Sequence, residues 1–231
     1  MRRLLILFII GLASLGFAQN RKETENTQEK DTLQERIEKL FEDASLWQVG
    51  ENVEKVKKAR KELVKIGFPA LKYVLENKLK TDKTLEIRAI KYIVKEMKRE
   101  SKPFLHDALE DENDTVRANA IYLIGEIADT EALGGLFRHL REEKSYKMKA
   151  RIISALGKIK DTTAVDTIIP YLKSPYERIR ISAADALGKL KDRRAETPLL
   201  SALKDTFFTE RYTAGKSLSL LSPHPVDTLI S

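Results

Sequence analysis

The side chains able to do chemistry are few in this sequence and poorly spaced for it. The three histidines, His106, His139 and His224, stand far apart, and none belongs to an H-x-x-x-H or H-E-x-x-H pair that could hold a metal from one helix face. There is no cysteine, which removes thiolate nucleophiles, disulfides and cysteine-based metal sites. No G-x-G-x-x-G, Walker A or G-x-S-x-G stretch occurs to cradle a phosphate or present a nucleophile. The densest acidic cluster, Asp111-Glu112-Asn113-Asp114, lacks the ligand spacing and mid-loop glycine of a calcium loop. It reads instead as a helix N-cap in a solvated turn. The expectation is therefore no catalytic residue, no metal and no cofactor.

The elements available to position a site repeat themselves. Val116 to Asp129 reads V-R-A-N-A-I-Y-L-I-G-E-I-A-D, Met148 to Asp161 reads M-K-A-R-I-I-S-A-L-G-K-I-K-D, and Ile179 to Asp192 reads I-R-I-S-A-A-D-A-L-G-K-L-K-D. Gly125, Gly157 and Gly188 are 32 and 31 residues apart, and a second apolar helical run follows each. Self-similarity at this period marks stacked helix pairs, none of which can bury its apolar face alone. Ten glycines and seven prolines are too few for a turn-rich β protein of 231 residues. The fold class is all-α, a solenoid of about five to six antiparallel helix pairs. First helices are expected at 53–66, 85–97, 114–127, 146–159 and 176–190. Second helices are expected at 70–79, 104–109, 130–141, 162–173 and 193–204. A sixth unit opens at Phe208, with a second helix near Val226.

Single residues refine this phasing. Asp129, Asp161 and Asp192 precede second helices, where a carboxylate can accept orphan N–H groups. Ser174-Pro175 reads as an N-cap with proline at N1, and Pro103 as a helix start. Pro170 lies deep in its helix and should end regular hydrogen bonding there. Gly125, Gly157 and Gly188 suggest close helix approach within each repeat, at about 1 kcal/mol of helix propensity apiece. Leu33, Ile37, Leu40, Phe41 and Ala44 form a stripe on an N-terminal capping helix (32–48), with Trp47 packed into the same junction.

The R-x-x-A-x-x-x-L-G core, clearest in Arg180–Gly188, resembles the short HEAT-like repeats first named from phycobilin lyases. The resemblance runs over roughly residues 53–231 and is strongest from 111 to 205; the first two units lack the glycine. It implies a right-handed superhelix whose second helices line a concave surface, most often for binding proteins and in a minority of members for acting on tetrapyrroles. It also implies that the basic ladder Arg88, Arg117, Lys149, Arg180 and Arg211 pairs with acids between repeats. The competing reading of that ladder is an anion-binding stripe.

On that geometry the candidate partner-binding residues are Tyr73, Glu76, Asp107, Glu110, Arg138, Arg141, Tyr171, Lys173, Ser201 and Lys204, on the last turns of the second helices. Their charge runs from acidic at the N-terminal end to basic at the C-terminal end. A second candidate is a basic edge of Lys158, Lys160, Lys189, Lys191, Arg193 and Arg194, suited to an anionic envelope polymer or lipid headgroups.

Residues 1–18 read as a signal peptide: Arg2 and Arg3, an uncharged apolar run from Leu4 to Leu15, then Gly16-Phe17-Ala18 before the cut. The run is short for a membrane span, which needs roughly 20 residues, so no stable transmembrane segment is expected after processing. Residues 19–31 read as a disordered linker, and 32–231 as the repeat domain. The net charge is +7, and removing Arg2 and Arg3 leaves +5 with both signs interspersed. That balance does not point to nucleic acid. The expectation is an exported, periplasmic or extracellular bacterial scaffold, without enzyme activity, that binds a protein or peptide. The alternatives are a bilin or tetrapyrrole lyase or chaperone, and a binder of anionic polymers.

Overall fold

The structure is a computed structural model and describes residues 32–221. The segments read as signal peptide and linker, together with His224 and the helix expected near Val226, lie outside the described residues. The chain opens with α1 (32–44), which sets Ile37, Phe41 and Ala44 into the core. Five helix pairs follow. The first helices are α2 (Asn52–Ile66), α4 (Thr84–Glu96), α6 (Asp114–Ile127), α8 (Tyr146–Ile159) and α10 (Glu177–Leu190). The second are α3 (Phe68–Lys78), α5 (Lys98–Ala108), α7 (Leu133–Glu142), α9 (Val165–Ile168) and α11 (Glu196–Ala202). Helix α12 (Phe208–Leu221) opens the sixth unit. One apolar seam runs from Ile37 to Leu218, and no strand occurs among the described residues.

In repeats three to five each residue of the motif has a duty. Leu123/Ile124, Ala155/Leu156 and Ala186/Leu187 are buried. Ala128, Lys160 and Lys191 end the first helices at φ 54°, 63° and 54°, in the left-handed region. Asp129, Asp161 and Asp192 then accept the N–H groups of Glu131, Thr163 and Arg194, capping a 3-10 turn that leads into the second helix. The glycines serve a different junction from the one expected. A Cβ on Gly157 would lie 2.6 Å from Ala186 Cα, one on Gly188 2.6 Å from Ser217 Cβ, and one on Gly125 3.0 Å from Ala155 Cα. The close approach is therefore between first helices of successive repeats, α6 to α8 to α10 to α12, and not within a repeat. In A-L-G the alanine fills the preceding repeat's glycine notch, and the glycine receives the next repeat's small residue.

Several local expectations are corrected. Pro103 sits inside α5 rather than at its start, because a single residue, Met97, breaks α4 from α5. Pro103 and Arg99 are both exposed, so the carbonyl the proline leaves unpaired faces water. Gly67 at φ 80° makes the equally abrupt turn between α2 and α3. Ser174-Pro175 does not begin α10; Ser174 ends the preceding 3-10 helix, and Tyr176 is the N-cap position. Trp47 is 65% exposed and packs into no junction. Pro170 does end the α-helical bonding, and a 3-10 helix Ile169–Lys173 takes over from α9.

Candidate protein-binding surface

The second helices hold one another through side chains near their ends. Glu110 on the α5–α6 connection receives Arg138 and, at 3.1 Å, His139 Nε2, both from α7. Tyr171 donates to the Leu140 carbonyl at 3.4 Å while Lys149 Nζ lies 5.9 Å above its ring; burial pushes its phenol up. Tyr73 donates to Glu38 of α1 at 2.5 Å, a bond that pushes the Tyr73 phenol up to about 12. Glu76 lies 3.9 Å from Lys72 on its own helix. Tyr73, Glu110, Arg138 and Tyr171 are thus occupied inside the array. Asp107, Arg141, Lys173, Ser201 and Lys204 are exposed, and the four charges among them have no ion-pair partner among the described residues.

Arg141, Lys173 and Lys204 recur once per repeat at the C-terminal ends of the second helices, where cations are favoured. Lys173, Ser201 and Lys204 also border a cavity of about 630 Å³ whose apolar lining includes Ile169, Leu172, Pro198 and Phe207. The acidic-to-basic gradient is reduced by the Glu110–Arg138 pair, leaving a basic C-terminal half.

The basic ladder is structural at three of its five positions. Arg117 donates to the carbonyls of Asp111 and Glu112 and pairs with Asp114. Arg180 donates to Ser174 O at 2.7 Å and lies 3.1 Å from Asp205 and 2.5 Å from Glu210. Arg211 donates to the carbonyls of Asp205 and Thr206. Each guanidinium thus pins the connection entering its own repeat. Arg88 is not equivalent to these. The buried Ala89, Ile90 and Ile93 match Ala120, Ile121 and Ile124 in order and spacing, which puts Arg88 at the position of Asn119, on the outward side of α4.

Three cations of the expected basic edge have partners. Lys158 reaches Glu126 at 2.6 Å, Lys189 reaches Asp185 at 2.5 Å, and Arg194 lies 2.5 Å from Asp166 and 2.8 Å from Asp192. The Arg194 guanidinium holds the Asp192 carboxyl down to about 2. Lys160, Lys191 and Arg193 remain exposed at the turns.

Two clusters escaped sequence reasoning. Asp129 is buried, 3.0 Å from Lys102 Nζ and 2.7 Å from His106 Nε2. Burial pushes its carboxyl up, but Lys102 and His106 outweigh that and hold it below the usual range. Among the described residues no hydroxyl is bonded to His106, so this is a tie between α5 and α7 rather than a nucleophile–base pair. On the first-helix side Glu126 receives Lys158, with Lys95 at 3.2 Å and Lys91 at 3.6 Å. Burial raises the Glu126 carboxyl, yet the lysines bring it down to about 2. Lys158 and Lys91 also lie 4.7 and 5.7 Å from the Tyr122 ring centroid. Both clusters join residues 23 to 35 positions apart, and only the repeat register could have brought them together on paper.

These features define an α-solenoid of stacked helical repeats. Residues 135–219, which carry the R-x-x-A-x-x-x-L-G core at Arg180–Gly188, match the family model described as HEAT repeats. An engineered protein has a similar structure, with a TM-score of 0.52 at 19% identity over 84% of this chain and 93% of its own. The complex of CpcE and CpcF of phycocyanin lyase from Nostoc sp. PCC7120 is similar at a TM-score of 0.48 and 20% identity, over 77% of this chain and 75% of that one. A designed armadillo repeat protein in complex with the peptide (KR)4 gives 0.46 and 14%, over 80% and 98%. At such identities the likeness concerns the fold. No curated protein sequence matches this chain. Among the described residues no helix is long and apolar enough to cross a membrane.

Proposed function

We propose that this chain is an exported, non-enzymatic repeat scaffold that holds an extended acidic segment of a protein partner along its second helices. The observation that carries this reading is the row Arg141, Lys173 and Lys204, one exposed and unpaired cation per repeat, the last two bordering a cavity with a largely apolar lining. Successive carboxylates of an extended peptide could meet successive cations while an apolar side chain enters between Leu172 and Pro198. Export rests on the character of residues 1–18. A photo-crosslinking amino acid at Ser201, expressed in the native cell, should give one discrete protein adduct, and one at Arg88 on the first-helix side should not. The adduct should disappear in R141E/K173E. Equal adducts from both faces, or an adduct indifferent to the charge reversal, would remove the second-helix face from consideration.

A further inference from the structure

The opposite side of the array carries a second basic site that the protein-binding reading does not use. Helices α6, α8 and α10 enclose a cleft of about 180 Å³ there, lined by Tyr122, Arg151, Ser154, Lys158, Arg178 and Ser182 over a floor of alanines. The helix spacing explains the cleft. Arg151, Ser154 and Lys158 lie three and four residues apart on the outward face of α8, as Arg178 and Ser182 do on α10. The glycine–alanine notches draw these helices together, and the two serines leave open the space that larger side chains would fill.

No carboxylate lines the cleft, and neither Arg151 nor Arg178 has an ion-pair or hydrogen-bond partner among the described residues. The acids on adjoining positions are already engaged. Glu126 is shared by Lys91, Lys95 and Lys158, and Asp185 by Lys189. Three lysines on one carboxylate leave a local excess of positive charge beside the two free guanidinium groups. Arg117, Arg180 and Arg194, by contrast, are each matched with acids and carbonyls. Two unmatched arginines, two hydroxyls and a phenol around one small cavity are donors awaiting an acceptor.

We propose that this cleft binds a small oxyanion of the phosphate class, either free phosphate or a phosphomonoester. The planar forks of Arg151 and Arg178 would hold the anion from two helices, with Ser154 and Ser182 donating from between them. Because α8 and α10 belong to different repeats, the bound anion would also tie repeat four to repeat five.

The test is calorimetric titration of the full chain with inorganic phosphate at constant ionic strength, and separately with glycerol phosphate. Saturable binding to one site is expected, weakened on the order of tenfold or more in R151Q/R178Q, the effect of losing charge-assisted hydrogen bonds. The fold of that variant is checked by its unfolding midpoint without ligand. Ser182→Glu keeps both arginines, places a carboxylate in the cleft and should abolish binding as well. The R141E/K173E variant should bind the anion like the unaltered chain, which separates this site from the second-helix surface. Tighter binding of glycerol phosphate than of phosphate assigns an ester, and the reverse assigns the free anion. Absence of saturable binding to both probes, or binding unchanged in R151Q/R178Q and Ser182→Glu, overturns the proposal.

Discussion

At the scale of single residues, the glycines have the most exacting role. Placing a methyl group on Gly157 would set it 2.6 Å from the Ala186 backbone, a distance that only separation of α8 and α10 can relieve. The overpacking cost is roughly 1–3 kcal/mol, against about 1 kcal/mol of helix propensity gained from alanine. Urea unfolding should show Gly157→Ala and Gly188→Ala destabilised, and Gly125→Ala, with 3.0 Å available, close to neutral. Equal effects at all three would refute the inter-repeat notch. Glu126 gives a second expectation. Its folded carboxyl titrates near 2, below the ordinary 4.5, so it binds fewer protons folded than unfolded. Its stabilisation is complete above pH 4.5 and is lost as the pH falls from there through 2. Because the three lysine heads are partly solvated, the pH 7 cost of Glu126→Gln should be only about 1–2 kcal/mol. Acid unfolding of the variant should then show a shallower pH dependence in that window, whereas an unchanged profile would show that the cluster adds nothing.

At the scale of elements, the repeats differed in how plainly they could be read. The first helices of all five repeats fall within a residue of their expected bounds, and in repeats three to five glycine, the apolar pair and the aspartate recur in register. The second helix of repeat two starts six residues earlier than expected, because Met97 alone turns the chain from α4 into α5. The run Lys98-Arg99-Glu100-Ser101-Lys102 reads as a polar loop yet forms the start of α5, where only Ser101 is buried. The aspartate caps were legible because a carboxylate before a helix has one evident use. Truncating Asp161 or Asp192 to alanine should lower the unfolding midpoint modestly, as loss of an N-cap does. Asp129→Ala should cost more, since it also strands Lys102 and His106. Thermal unfolding midpoints would order the three variants, and parity among them would contradict the buried tie. The candidate surface was legible only in part. Lys173, Ser201 and Lys204 border one cavity, and which charges remain free after Glu110 meets Arg138 depends on contacts between repeats. The first-helix cleft combines cations of α8 and α10, which belong to different repeats, so no local motif announced it.

At the scale of the whole molecule, α6, α8, α10 and α12 pack more intimately than α2, α4 and α6 do, in keeping with glycine notches confined to the later repeats. In such an array each unit is stabilised mainly by its neighbours, and a rigid stretch presents side chains at a fixed interval. That interval gives Arg141, Lys173 and Lys204 their meaning: three equivalent cations along one edge can meet an extended chain of opposite charge. Fluorescence anisotropy of a Glu-rich peptide against a Lys-rich peptide of equal length measures this directly, with the full chain and with R141E/K173E/K204E. The full chain should bind the acidic peptide and ignore the basic one, and the triple variant should lose or invert that preference. Equal affinity for both peptides, or a preference untouched by reversing the three charges, would contradict the account.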